Sequence, residues 1–432
     1  MRRTFFTCLF LSVILVVGSA YGFSAEAKTY LILAKAQGKG STAIDDLISL
    51  AGGTIVTRLE KIGVVVATSD NPGFLNIVVG DSRISKAAED VEVNWLPEEN
   101  YYKANPADLV AQGVNSEPFW DYQWNLRQIQ ADLTAAAGYQ GLGARVAVLD
   151  SGIWSQHPDI AANLNVALSK SFVPSEPGID PVVSGPNHGT HVAGIIAAPI
   201  NDIGVQGVAP QAELVAVKVL RSTTGSGAFS WIMQGIIYAA SIDADVINMS
   251  LGATFYRINA GGGGAGPLLA GLNRAINYAT ASGTLCVSAA GNEGVDLNSM
   301  IWSIPAQSGN GMAVAATAPY GLADFDRPAS YTNYGQSVIN VAAPGGDGAN
   351  ADYYPLDMIL SPCDEDWYYF GAGTSQAAPH VSGLAALLVG KYGHLSPARL
   401  QAIIQKTADD ILNPGADPYS GKGRINAFKA LN

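Results

Sequence analysis

Three short runs carry side chains that could break a bond together: Asp150 in residues 146–152, His188 and His191 in residues 187–194, and Ser375 in residues 371–375. A serine hydroxyl becomes nucleophilic when a base takes its proton. Histidine does this near neutral pH, and a carboxylate holds its tautomer and stabilises the imidazolium. Each run also has an ordinary reading. Asp150 could close a turn, the two histidines share a helix face as metal ligands do, and Ser375 could be a helix N-cap. No His-Glu-x-x-His frame or cysteine set accompanies the histidines. Together the runs make a charge-relay set, and Asn292 in Ala-Ala-Gly-Asn-Glu-Gly adds an amide that could donate to an oxyanion.

Aliphatic runs at residues 145–149, 214–220, 246–249, 285–289, 312–317 and 338–342 read as strands. Residues 188–198, 230–242, 267–282, 375–392 and 396–408 read as helices between or after them. Such alternation predicts an α/β fold, a parallel sheet flanked by helices on both faces, with its site at the carboxyl ends of the strands. Upstream, strand 29–34, helix 42–50, strands 54–59 and 62–68, a helical stretch from Pro72 and a strand near 91–95 predict a small ferredoxin-like α+β sandwich. Residues 98–113 are polar and contain proline, which reads as a linker open to nicking.

The charge of −12 is uneven: residues 1–105 hold 10 basic and 11 acidic side chains, so nearly all of it falls in the body. That argues against a nucleic-acid partner, which needs clustered Lys and Arg, and suits a divalent cation. Arg2, Arg3 and the apolar run 9–17 read as a secretory signal, too short for a membrane span of about 20 residues. Once Cys8 leaves with it, Cys286 and Cys363 remain, and their pairing stays open. Gly141-Leu142-Gly143 precedes its strand, and no Gly-Lys-Ser/Thr follows the glycines at 261–264, so neither is a phosphate loop.

The phrases Val-Leu-Asp150-Ser-Gly-Ile, His188-Gly-Thr-His-Val-Ala-Gly, Asn248-Met-Ser-Leu-Gly252, Ala-Ala-Gly-Asn292-Glu-Gly and Gly-Thr-Ser375-x-Ala-x-Pro-His resemble the subtilisin-like serine proteases, and the last residues resemble thermitase-type members. The resemblance implies a secreted, monomeric serine endopeptidase acting on protein or peptide substrates, with no membrane attachment after signal removal. It implies a triad of Asp150, His188 and Ser375, with oxyanion donors from Asn292 and the Ser375 N–H. It implies that Gly225, Ser226, Gly227, Ser250, Leu251 and Gly252 pair with an extended peptide, and that Ala290, Gly291 and Ser303 line the primary specificity pocket. Ile304–Pro305 matches a bond that is often cis in the family. Asp159, Asn201 and Glu117, with carbonyls of Pro199, Ile203 and Val205, match ligands of a Ca²⁺ site. Residues 1–25 would be the signal peptide, 26–105 an inhibitory propeptide and linker that acts as intramolecular chaperone, and 106–432 the peptidase domain. Two departures stand out. Gln376 follows the serine where the family usually has Met, and residues 352–370 do not match, so they either border the primed side of the cleft or decorate the surface. A catalytically silent relative that binds extended peptides is the alternative.

Overall fold

A computed structural model describes residues 26–97, 100–104, 117–256 and 265–432. The signal-like residues 1–25, most of the linker and the glycines at 261–264 lie outside the described residues.

The strands Arg145–Asp150, Glu213–Lys218, Val246–Met249, Leu285–Ala289 and Met312–Ala318 are almost wholly buried. Across the central sheet the order is Arg327–Pro328, Met312–Ala318, Leu285–Ala289, Val246–Met249, Arg145–Asp150, Glu213–Lys218 and Lys170–Ser171, with Val341–Pro344 beside Met312–Ala318. Every pairing is parallel except that of Arg327–Pro328. Side chains alternate between the faces, as strand geometry demands. Val146 and Val148 pack with the helices His188–Ala197 and Thr374–Tyr392, whereas Ala147 and Leu149 pack with Phe229–Ser241 and Ala265–Ala281. Each Val or Leu side chain so buried contributes about 1.5–3 kcal/mol.

The strand expected at 338–342 forms instead at Val341–Pro344. The Asn340 side chain accepts from the Ala313 N–H at 2.7 Å while the Asn340 backbone N–H donates to the Ala313 carbonyl at 3.0 Å, so a side-chain oxygen stands in for a backbone acceptor and the ladder starts later.

The N-terminal unit is a four-stranded antiparallel sheet in the order Gly53–Leu59, Val64–Ser69, Lys28–Ala34, Ile84–Glu89. The helices Asp45–Leu50 and Phe74–Val79 cover one face. Leu31, Leu33, Val64 and Val66 on the other face share a core with Met233, Leu268 and Leu272 of the body helices, because a sheet apolar on both faces must be covered on both. Residues 91–95 do not close this sandwich. Ile84–Glu89 takes the free edge of Lys28–Ala34, and Glu92–Asn94 leaves to pair with Ser226–Ala228 of the body.

Candidate active site

Asp150 ends its strand, and its carboxylate meets donors from two directions. Ser151 N–H and Oγ reach Oδ1 at 2.7 and 3.1 Å, and His188 Nδ1 lies 2.8 and 2.9 Å from Oδ1 and Oδ2. His188 opens the helix His188–Ala197 because Asn187 caps it, its side chain accepting from the Thr190 N–H at 2.9 Å. The helix start must lie against the strand end for this to work. A Cβ on Gly189 would fall 2.2 Å from the Gly152 carbonyl, so only glycine fits there. The pair is sealed: Asp150 is 1% and His188 6% exposed. His191 points elsewhere, its Nε2 lying 3.2 and 3.0 Å from the carbonyls of Ile359 and Tyr369. The two histidines therefore do not converge on a metal.

Ser375 is the second residue of Thr374–Tyr392. Its N–H belongs to the first turn, where helical N–H groups have no partner four residues back and the helix dipole is positive. The Ser250 hydroxyl holds the Ser375 carbonyl at 2.7 Å, which ties the helix start to the strand Val246–Met249. Asn292 is oriented by Thr374, whose N–H and Oγ donate to its Oδ1 at 2.9 and 2.7 Å. With the oxygen so occupied, the amide NH₂ is the group left to donate. Asn292, Gly291, Ser303 and Ser375 line one cavity of about 320 Å³. Ala290 sits beneath it, its carbonyl accepting from Ser303 Oγ at 2.8 Å and Asn333 Nδ2 at 3.0 Å. Ile304–Pro305 is cis.

The two segments expected to hold a peptide already hold one, the chain's own. Glu92–Asn94 pairs antiparallel with Ser226–Ala228, the Trp95 N–H donates to the Gly225 carbonyl at 3.0 Å, and the Gly252 N–H donates to the Trp95 carbonyl at 2.8 Å. Gly225 has φ +66°, and a Cβ there would approach Leu96 to 2.8 Å, so strain and space both favour glycine. Trp95 is fully buried, its indole donating to the Gly227 carbonyl at 2.8 Å and its ring 4.9 Å from Phe229. Asn94, Leu96 and Pro97 border both the cavity beside Ser375 and a second one beside His188, so this strip runs between the two.

Glu117 and Asp159 meet at the loop carrying Pro199, Asn201, Ile203 and Val205. Glu117 Oε1 accepts the N–H groups of Asn201 and Asp202 at 2.9 and 3.0 Å; Asp159 Oδ2 accepts those of Val205 at 3.0 Å and the Tyr368 hydroxyl at 2.8 Å. Asp159 Oδ1 is buried and has no hydrogen-bond partner among the described residues. Burial pushes Asp159 up to about 6 and raises Glu117 as well. Among the described residues no three His, Cys, Asp or Glu side chains are grouped to hold a metal. A cation here would depend on two carboxylates plus amide and carbonyl oxygens, a donor set of the hard kind Ca²⁺ takes.

Sequence reading passed over Thr374, Ser151, Asn187 and Trp95. The first three sit beside a named residue in its own motif, which was a usable signal; Trp95 had none, because its partners are 130 residues away in the chain. No disulfide joins Cys286 and Cys363. Within the unmatched residues 352–370 and just beyond, Ile359–Pro362 and Tyr368–Gly371 form an antiparallel hairpin.

The subtilase family model matches residues 141–423. Subtilisin NAT of Bacillus subtilis subsp. natto is 36% identical over 414 residues, 95% of this chain and 92% of the relative. Thermitase of Thermoactinomyces vulgaris is 36% identical over 318 residues, 73% of this chain and 98% of its own. In three dimensions the chain resembles the epidermin leader peptide processing serine protease of Staphylococcus aureus, with a TM-score of 0.76 at 23% identity over 94% of this chain and 98% of that one. With the family model covering the body and the subtilisins aligning along nearly the whole length, the chain belongs to the subtilase family and is a serine endopeptidase of subtilisin type.

Proposed function

We propose that the protein is an exported, calcium-stabilised endopeptidase that matures by cutting its own chain, with Asp150, His188 and Ser375 as its triad. The observation that carries the catalytic reading is the Asp150–His188 contact at 2.8 and 2.9 Å. A proton on Nδ1 directed at the carboxylate leaves the Nε2 lone pair as the base. That nitrogen takes the Ser375 proton as Oγ attacks the peptide carbonyl, and gives it to the departing amine. Water, deprotonated by the same nitrogen, then frees the acyl group. The carbonyl oxygen becomes an anion between the Asn292 amide and the Ser375 N–H. Fluorophosphonate labelling tests the reading: modification of Ser375 together with peptide hydrolysis is expected, whereas an unlabelled chain that still binds peptide is a silent relative.

Asn292→Leu removes one oxyanion donor while keeping the side chain's bulk. Its kcat should fall about 10²–10³-fold with KM little changed, because the lost hydrogen bond forms fully only in the transition state. Steady-state kinetics check this; a KM effect alone would assign Asn292 to ground-state binding.

Residues 26–97 are proposed as the inhibitory propeptide. Glu92 to Leu96 follows the path of the unprimed half of a substrate, added as a strand between two body segments. Leu96 and Pro97 border the cavity beside Ser375, and Asn100 and Tyr101 border the one beside His188, so the cut is expected between Leu96 and Tyr101. Residues 1–25 would direct export.

For Ca²⁺, Asp159, Glu117 and Asn201 with the 199–205 loop carbonyls are the proposed ligands, and the ion would neutralise two desolvated carboxylates and tie residue 117 to that loop. Chelation of the matured protein is then expected to lower Tm by about 4 °C, since calcium at 100 times its Kd adds about 2.7 kcal/mol and a chain of roughly 330 residues unfolds with an entropy of about 0.7 kcal/mol per degree. Calorimetry with and without EDTA measures it, and Asp159→Asn should abolish the difference; identical wild-type melting curves would remove calcium from the proposal.

A further inference from the structure

The hairpin Ile359–Pro362 and Tyr368–Gly371 carries a third strand, Tyr102–Lys103, supplied by the chain just beyond the expected cut. Tyr369 pairs with Lys103 and Phe370 with Tyr102, antiparallel, and the Ala104 N–H donates to the Tyr368 carbonyl at 3.0 Å. The Trp367 indole donates to the Ala104 carbonyl at 2.7 Å. Three successive residues, Tyr102 to Ala104, are thus held through their backbone. The side chains are placed as well. Tyr101 lies 5.3 Å from the His191 ring and Tyr102 4.4 Å from Tyr354. Lys103 Nζ lies 5.3 Å from the Trp367 ring and 5.9 Å from the Tyr369 ring. Behind that pair of rings stands Asp364, whose carboxylate accepts the Tyr369 hydroxyl at 2.9 Å and the Trp367 N–H, with Glu365 and Asp366 next to it in the chain.

We propose that the hairpin is a primed-side docking strand with a subsite for a basic side chain: the leaving half of a polypeptide substrate pairs with Tyr368–Gly371 and lays a Lys or Arg between Trp367 and Tyr369. The inference rests on the protease reading of Ser375. Residues 92–96 fill the unprimed groove and residues 101–104 continue on the far side of Ser375 and His188, so the chain's own segment is the stand-in for an uncut substrate. Backbone pairing accepts any sequence, so selectivity must come from pockets for individual side chains. Two ring faces are electron-rich and attract a cation, with Arg able to stack as well as Lys. The nearby carboxylate adds to that attraction and turns away Glu or Asp.

The test uses the matured enzyme and quenched fluorescent peptides copying residues 92–104, the residue in the place of Lys103 being varied, with an unprimed-only peptide p-nitroanilide as control. Expected kcat/KM values are similar for Lys and Lys103→Arg, about 3–10-fold lower for Lys103→Ala and lower again for Lys103→Glu. A peptide ending before Tyr102 should be cut at least 10-fold more slowly than the full one. In Trp367→Leu the spread between Lys and Ala peptides should shrink to within twofold. Equal rates for the Lys, Ala, Glu and truncated peptides, with the p-nitroanilide hydrolysed, would overturn the inference alone. No hydrolysis of either substrate would overturn the protease reading and the inference with it. If Trp367→Leu does not fold, the wild-type peptide series decides by itself.

Discussion

Ser375→Ala is expected to yield a folded, uncut precursor that hydrolyses peptides about 10⁶-fold more slowly than the matured enzyme, the size of the loss when the nucleophile of subtilisin is removed. The fold should survive, because among the described residues the hydroxyl's hydrogen bond is to the Ser250 carbonyl at 3.5 Å, too long to stabilise much, while the Ser375 backbone keeps its 2.7 Å tie to Ser250 Oγ. The precursor should stay intact because the segment between Leu96 and Tyr101 would then cross a cleft with no nucleophile. Purified Ser375→Ala followed by gel electrophoresis shows the uncut band; adding matured wild-type enzyme should cut it in trans. Normal maturation of the purified variant alone would remove self-processing from the proposal.

Asp150→Asn should lower kcat by about 10⁴-fold while leaving the structure in place. Oδ1 of an asparagine still accepts from Ser151 N–H, at 2.7 Å in the native chain, so the strand end keeps its shape. The new NH₂, however, faces His188 Nδ1 and needs that nitrogen as an acceptor. The ring proton moves to Nε2, the nitrogen that must receive the Ser375 proton, and the buried imidazolium loses its counter-charge. Kinetics with a p-nitroanilide substrate, beside an unchanged melting curve, measure this. A loss below about tenfold would show that His188 works without Asp150.

Both effects were foreseeable from the sequence, since Asp150, His188, Asn292 and Ser375 each sit in a short motif with its local backbone written beside it. Periodicity likewise located the central sheet, because strands buried on both faces read as unbroken aliphatic runs. The two misplaced strands share a cause. Residues 338–342 and 91–95 are equally strand-prone, but where a strand pairs depends on which edge is free. The Asn340 side chain occupies one position, and Ile84–Glu89 occupies the other.

The proposed chemistry and the order of elements were therefore legible in the sequence alone, through residue types that few other roles explain in combination and through hydrophobic period. Only the tertiary structure decided where residues 92–97 and 100–104 go: Glu92–Asn94 along Ser226–Ala228, Leu96 and Pro97 beside Ser375, Asn100 and Tyr101 beside His188, and Tyr102–Lys103 onto Tyr368–Gly371. Nothing local in Trp95, Lys103 or Trp367 announces a partner, because each contact joins segments at least 130 residues apart and arises only when folding brings two unpaired strand edges to one strip of chain.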